Sequence, residues 1–244
     1  MKTTISWTNY ADVYDFMAKA NQAYQELLSL FEKRISNLSI NGENAILEIG
    51  SGTGNFTVLL HQHFPHSKII CVEPDENMLK KAKDKFSPSE NKNVEFQLTT
   101  AEEYSVPLNS VSVCVMMHSL YTFQKPQETL RKVFQQLQPG GYLIVCDPGR
   151  IMKVRDWSVY LFKTLSKRHG VFKTLYFFYK ARNVASINRQ ISQCQKEGRY
   201  WVHSHEAFCQ TIEMVGFTIL DKLVTYRGYS DFVVAMKSDS CEQV

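Results

Sequence analysis

The sequence predicts an α/β fold: a mostly parallel, doubly wound sheet of seven strands flanked by helices, with an additional helical insert. Three observations predict it. Short apolar runs of strand length alternate with helix-period segments along the chain. The first run, Ile46 to Ile49, ends in glycines at alternate positions, Gly50, Gly52 and Gly54, before a helix-period run opens at Phe56. An acid, Glu73, closes the next apolar run about 20 residues further on. Strand, glycine turn and helix together form a ligand cradle. The glycines let the backbone turn tightly and meet a ligand with no Cβ in the way, and a helix N-terminus offers N–H donors.

Composition sets the bounds. A chain of 244 residues, 44% hydrophobic and 21% charged, can bury one full core, so a single domain over 1–244 is expected. No apolar run approaches the roughly 18 residues that span a bilayer, and Met1 to Trp7 lacks an apolar signal core, so export is not expected. Six cysteines show no paired metal spacing. Cys71, Cys114 and Cys146 lie in strand-like runs and read as buried thiols of a reducing compartment, which makes cytoplasmic the expected location. His61, His63 and His66 do not share a helical face, and Pro65 ends that helix, so no metal site is expected.

Taken in order, Thr8 to Asn37 reads as one helix with Tyr10, Tyr14, Met17, Tyr24, Leu27, Leu28 and Phe31 as its apolar stripe, the core of an N-terminal cover over 1–40. A helix from Asn55 to His63 leads into strand Lys68 to Val72, and Asp75 opens the next helix, carrying Met78 and Leu79. Val94 to Leu98 alternates as a third strand, and Val111 to His118 is a fourth. Ligands of open α/β sheets sit outside the carboxyl ends of the strands, which puts Met117, His118 and Tyr121 at the expected reaction centre. Pro126 to Leu137 is a helix with proline in its first turn. Pro139-Gly140-Gly141 then turns the chain into strand Tyr142 to Cys146, which ends at Asp147-Pro148-Gly149. Ser204 caps a helix over about His205 to Met214, and strands Phe217 to Leu223 and Asp231 to Met236 complete the seven.

Residues 150–203 exceed the dozen or so that a crossover needs. Two helices separated by Gly170 are expected there, with Trp157, Tyr160, Leu161 and Leu165 as one stripe and Phe172, Leu175, Tyr176 and Tyr179 as another. From Arg150 to Tyr200 there are 12 Lys or Arg against two acids, so a chain of net charge +4 carries a local +10. Three readings stay open: a lid whose bases are solvated, a lid that meets an acidic or amphiphilic substrate or a membrane surface, and a nucleic-acid surface.

The spacing Glu48-x-Gly50-x-Gly52-x-Gly54 is G-x-G-x-G rather than the dinucleotide G-x-G-x-x-G. It resembles the first motif of the class I, Rossmann-like S-adenosylmethionine-dependent methyltransferases of small-molecule type. The resemblance covers roughly Tyr10 to Pro148 and resumes in the last third, and the Pro-Gly-Gly turn is a further family feature. It implies S-adenosylmethionine as cofactor, S-adenosylhomocysteine as product, a terminal antiparallel strand, and methyl transfer to an O, N, S or C nucleophile of a small hydrophobic or amphiphilic substrate. By the same resemblance Glu48, Gly50, Ser51, Gly52, Gly54 and Asn55 surround the methionine part, with backbone N–H groups of the turn holding it. Glu73 would take the ribose, Pro74 and Met78 the adenine, and Met117 and His118 the reacting end. Relatives have an acid at the Thr100 position, so Thr100, Ala101 and Glu102 are the candidates for the adenine amine; Ser112 is a second departure. His118, His203, Tyr14 and Tyr121 are candidate proton acceptors, and Tyr10, Tyr14, Trp157, Tyr160 and Tyr176 candidate substrate contacts. Methyltransferases that act on nucleic-acid bases carry an Asn-Pro-Pro-Tyr-type tetrad after the fourth strand. Met116-Met117-His118-Ser119 stands there instead, which disfavours nucleic acid as partner. The alternatives are a cofactor-binding protein that does not methylate, a tRNA or protein methyltransferase, and a relative that uses S-adenosylmethionine for cyclisation or decarboxylation. The sequence leaves the oligomeric state undetermined.

Overall fold

Runs that are apolar at almost every position fit a strand covered on both faces. In the computed structural model two such runs, β1 (Ala45–Ile49) and β4 (Val111–Met117), lie side by side in the middle of the sheet. Residues 7–40, 45–87 and 92–238 are described, apart from the side chains of 8–10 and 12. Around this centre the sheet runs β3 (Val94–Gln97), β2 (Ile69–Val72), β1, β4, β5 (Leu137–Pro148), β7 (Ser230–Lys237), β6 (Phe217–Thr225). Strands β1 to β5 are mutually parallel, and β7 runs antiparallel to both β5 and β6. The helices are α1 (Trp7–Ala20), α2 (Gln22–Ile35), α3 (Asn55–His63), α4 (Glu76–Lys83), α5 (Pro126–Gln136), α6 (Val154–His169), α7 (Val171–Lys180), α8 (Arg182–Lys196) and α9 (His205–Val215).

The period of two in β1 divides its side chains between two cores. Leu47 and Ile49 join Val133 of α5 and Phe208 and Ile212 of α9 on one face, while Ile46 joins Phe31 of α2 and Leu60 of α3 on the other. These clusters fix the height at which the glycine turn leaves the sheet. Among the described residues no helix is long and apolar enough to cross a membrane.

Several boundaries differ from the sequence expectation, and β5, expected over Tyr142 to Cys146, takes in the Pro139-Gly140-Gly141 turn. The N-terminal helix breaks at Asn21, whose backbone is extended (ψ 106°) and whose side chain accepts from Ala23 N at 3.1 Å. Asn21 Nδ2 also donates to the Tyr226 hydroxyl at 3.0 Å, so a distant contact holds the break in place. The insert holds three helices rather than two, because the chain breaks again at Ala181 beyond the expected break at Gly170. The last two strands extend to Thr225 and back to Ser230, leaving Tyr226–Gly228 as a tight tip.

Glu48 faces the α3 side of β1 and is fully buried. Its carboxyl accepts from Thr57 Oγ1 at 2.6 Å, yet burial dominates and pushes its pKa up to about 8. A carboxyl whose folded pKa is raised contributes stability that is complete below the ordinary value of 4.5 and is lost as pH rises through about 8. Glu48→Gln keeps an acceptor for Thr57 and removes the titration. Thermal melts from pH 5 to 8 should therefore decline less for the variant than for the wild type, and parallel curves would contradict this assignment.

Candidate functional site

The site opens at the carboxyl ends of β1, β2 and β4, where the winding of the sheet reverses. Gly50 leaves β1 with φ +73°, and a Cβ there would lie 2.3 Å from Ser119 Cβ. Ser119 Oγ in turn donates to Ile49 O at 2.8 Å, so the end of β4 is stitched to the end of β1. Gly52 (φ +55°) has nothing near its missing Cβ and leaves the floor of the turn open to a ligand.

The turn spends its own N–H groups. Gly50 N and Ser51 N donate to Val72 O at 2.8 and 3.2 Å, and Gly54 N to Ser51 O at 2.9 Å. Gly52 N donates to Glu73 Oε2 at 2.9 Å, while Asp75 N donates to Glu73 Oε1 at 3.0 Å. In this structure the N–H groups of Gly50, Ser51, Gly52 and Gly54, expected to face a ligand, bond within the loop and to Val72 and Glu73. They hold the loop. What remains toward a ligand is the Cβ-free surface and the start of α3, whose Gly54 supplies no capping side chain, while the Ser51 hydroxyl is buried with no partner. Burial raises the Glu73 pKa against its two backbone bonds.

Helix α1 is latched over this turn. Asp15 accepts from Thr53 Oγ1 at 2.6 Å and from Asn55 Nδ2 at 3.2 Å, and Lys85 Nζ lies 2.9 Å from Asp15 and 2.6 Å from Asn55 Oδ1. Burial opposes ionisation of Asp15, but the bonds from Thr53 and Lys85 outweigh it and hold its carboxyl below the usual value.

Two cavities result. The first lies over the turn, with Ser51, Gly52, Asn55, Glu73, Pro74, Met78 and Met117 in its wall. The second lies beneath the insert and is walled mainly by Tyr121, Trp157, Leu161, Ile191, Tyr226 and Tyr229, with Asn21, Asn188 and Arg150 as polar members. Trp7, Tyr14, Tyr24 and His118 line both and form the seam between them.

His118 sits just past β4 with φ +55°, an uncommon backbone for a residue with a Cβ. Its Nε2 lies 3.0 Å from Ser230 Oγ and its ring stands edge-on to Tyr226 at 4.8 Å. Burial pulls its pKa down to about 4, so the imidazole is neutral at physiological pH. Tyr14 approaches the Tyr24 hydroxyl at 3.4 Å, which Asn55 Nδ2 also meets at 3.2 Å.

Several expected site residues lie elsewhere. Glu48 turns back to Thr57, as described. Gly54 is absent from the wall because it packs on Ala82 of α4, where a Cβ would meet Ala82 Cβ at 2.9 Å. Thr100, Ala101 and Glu102 are also absent from it. Thr100 Oγ1 accepts from Glu103 N at 3.3 Å, and Lys132 Nζ takes the carbonyls of Ala101 and Glu102 at 3.2 and 3.0 Å. His203 is away from both cavities. It is buried, stacked on Phe208 at 4.4 Å, and lies 3.3 Å from Asp231 and 3.9 Å from Asp147, the latter too long for a hydrogen bond. Burial works against its charge, but the two carboxylates prevail and raise its pKa, while burial lifts Asp147 to about 6. Tyr160 packs under the Arg227 guanidinium rather than in the second cavity, and Tyr176 faces solvent. Tyr10 falls on a side chain outside those described.

The sequence reading missed Tyr24, Arg150, Tyr226 and Tyr229. A signal for the last two exists: a final strand antiparallel to β5 must begin beside the carboxyl end of β5, so its turn reaches the site. Among the described residues no group of three His, Cys, Asp or Glu could hold a metal.

Seven strands in this order, a glycine turn with a facing acid, and paired cavities define the class I methyltransferase fold. Residues 47–145 match the family model described as "Methyltransferase domain". A malonyl-[acyl-carrier protein] O-methyltransferase of Priestia megaterium is 30% identical over 138 residues, 57% of this chain and 48% of that one. A carboxy-S-adenosyl-L-methionine synthase of Trichodesmium erythraeum is 26% identical, covering 80% of this chain and 73% of the other. The ubiquinone/menaquinone biosynthesis C-methyltransferase UbiE of Pseudomonas fluorescens is 26% identical, covering 62% and 64%. The chain thus spans about half the length of the first of these curated relatives. Among solved structures, a chain of the complex between the Haloferax volcanii Trm112 activator and a methyltransferase superposes with TM-score 0.65 at 11% identity, covering 97% of this chain and 99% of that one. A SAM-dependent methyltransferase of Aquifex aeolicus gives 0.57 at 15% identity, covering 94% and 98%. Over residues 47–145 the chain is thus similar to S-adenosylmethionine-dependent methyltransferases, and its fold is the Rossmann-like α/β fold of the class I enzymes.

The Gly50–Ser119 contact is directly testable. Gly50→Ala should cost about 1–2 kcal/mol for the left-handed backbone and about 1–3 kcal/mol for overpacking. In urea denaturation Ser119→Gly should restore the second part but not the first when combined with Gly50→Ala. Purely additive losses would contradict the packing.

Proposed function

We propose that the protein moves the methyl group of S-adenosylmethionine to a small, largely apolar acceptor, with the cofactor in the first cavity and the acceptor in the second. One observation carries this: the two cavities meet at a seam of Trp7, Tyr14, Tyr24 and His118, one walled by the glycine turn and Glu73, the other by aromatic rings. The residues of the first cavity fit the cofactor. Glu73 presents a carboxylate for the ribose hydroxyls, Pro74 and Met78 an apolar wall for the adenine, and Ser51 an unspent hydroxyl beside the turn. When bound, S-adenosylmethionine supplies a methyl group on a cationic sulfur, already activated for in-line attack.

The chain's own contribution is alignment and exclusion of water. Helix α1, held by Asp15 on Thr53 and Asn55, covers the turn with Trp7 and Tyr14. In the second cavity the Trp157 ring forms part of the wall, while its indole N–H is buried with no partner. Arg150 is neutralised by Asp231, so the cavity offers little net charge. Neutral His118, with Nε2 3.0 Å from Ser230 Oγ, lines the seam. A base this weak accepts a proton only from an acceptor that is acidic or becomes so on methylation. Among the described residues five cysteines are free and buried, which fits a reducing compartment and supports a cytoplasmic location.

A second reading keeps the cofactor but not methyl transfer. It is favoured by the carboxy-S-adenosyl-L-methionine synthase relative, which covers 80% of this chain. Mass analysis of the nucleoside product separates the readings, since only methyl transfer yields S-adenosylhomocysteine.

Calorimetric titration of S-adenosylmethionine into the wild type and Glu73→Ala tests the cofactor half. Loss of at least about tenfold in affinity is expected, corresponding to about 1.4 kcal/mol; equal affinity would sink the assignment. For the acceptor half, Trp157→Phe should raise the acceptor KM and leave S-adenosylmethionine affinity unchanged. His118→Ala should lower kcat, and the wild-type pH profile should lack an inflection near the ordinary imidazole value of 6.5. An inflection there that vanishes in His118→Ala would show that the histidine titrates normally.

A further inference from the structure

The apolar stripe expected to pack in α7 faces outward. Phe172, Leu175, Tyr176 and Tyr179 stand at i, i+3, i+4 and i+7 on one side of the helix, with Phe172 89% and Tyr176 61% exposed. The opposite side is already satisfied: Thr174 and Phe177 are buried, and Phe177 stacks on Phe16 of α1 at 4.8 Å. The helix cannot turn its stripe inward without exposing that side. A contiguous exposed stripe of four large apolar side chains marks a surface that is covered in use.

What surrounds the stripe identifies the cover. Lys163, Lys167 and Arg168 lie along the second half of α6, and Lys173, Lys180 and Arg182 on or just beyond α7. Lys180 sits over the Tyr176 ring at 5.7 Å and Arg182 over Tyr179 at 4.8 Å, so cationic groups edge the aromatic face directly. The only acids of 150–200 are committed elsewhere, Asp156 to Arg227 and Glu197 to Arg199. Among the described residues Lys163, Lys167, Arg168 and Lys173 enter no ion pair. An interfacial helix has this design: an apolar side that enters the boundary between headgroups and acyl chains, and bases that meet anionic headgroups.

We propose that the α7 face, with the bases of the α6 end, docks the protein on an anionic lipid bilayer. Two other occupants fit less well. A second copy packed face to face would set these bases against their own equivalents, and like charges repel. A nucleic acid would meet the bases but leave Leu175 and Val171 with no ring to stack. Docking has a consequence that rests on the proposed methyl transfer: α6 and α8, which hold α7, supply Leu161, Val184 and Ile191 to the acceptor cavity, so an amphiphilic acceptor would reach it from the bilayer side.

Co-sedimentation of the full chain with phosphatidylcholine vesicles, with and without phosphatidylglycerol, tests docking independently of turnover. Binding is expected only with phosphatidylglycerol and should weaken in high salt. Each Lys→Gln change at Lys163, Lys167 or Lys173 should weaken partition about fivefold, the equivalent of about 1 kcal/mol. Phe172→Ser combined with Tyr176→Ser should weaken it further while S-adenosylmethionine affinity, the control for folding, stays unchanged. Equal sedimentation with both vesicle types would overturn the proposal, as would a solution dimer dissolved by Phe172→Ser or a preference for single-stranded RNA over the vesicles. If docking fails while methyl transfer persists, only the delivery route is lost.

Discussion

The carboxylate of Glu73 is the constraint on which the site depends. It accepts from Gly52 N on one side and Asp75 N on the other, so one side chain at the end of β2 fixes the glycine turn and the start of α4 together. Gly50 and Ser51 add their bonds to Val72 O, and Ser119 adds the end of β4. Three strand ends are thereby held as one rigid floor. Backbone geometry of this kind depends on Gly50, Gly52 and Gly54 all adopting positive φ, which is why their spacing is so informative.

The fold was legible because its signals are local. Seven apolar runs, the glycine turn, Asp75 and Ser204 as caps and Pro126 in a first turn each act within a few residues, and the structure has them in place. The first cavity lies on those elements, so Gly50, Ser51, Gly52, Asn55, Glu73, Pro74, Met78, Met117, His118 and Tyr14, all singled out from the sequence, line it. It was hidden where contacts join distant parts of the chain. Lys85 latches Asp15 from 70 residues away in sequence, a distance over which periodicity carries no information. Tyr226 reaches Asn21 across the chain and breaks what reads as one long helix. Phe172 to Tyr179 has helical spacing, and spacing alone cannot tell a core stripe from one turned to the outside.

His203 illustrates the limit of reading residue type. A histidine after the insert suggested a proton acceptor, but Asp147 and Asp231, opposite each other in the β5–β7 register, capture it in a buried network with Arg150 and His205. Gly149 packs against its ring, where a Cβ would lie 2.5 Å from Nδ1. The network secures the start of α9 to the sheet and holds Arg150 at the edge of the acceptor cavity. His118 differs in every respect: it has no carboxylate partner, its charge is suppressed by burial, and it stands at the seam.

The central claim is that cofactor and acceptor occupy neighbouring cavities joined at Tyr14 and His118. A crystal structure of the protein with S-adenosylhomocysteine tests it most directly. The account predicts the ribose hydroxyls on Glu73, the adenine between Pro74 and Met78, and the sulfur at the seam, facing the ring-lined second cavity. A nucleoside bound elsewhere, or a sulfur turned away from that cavity, would contradict it.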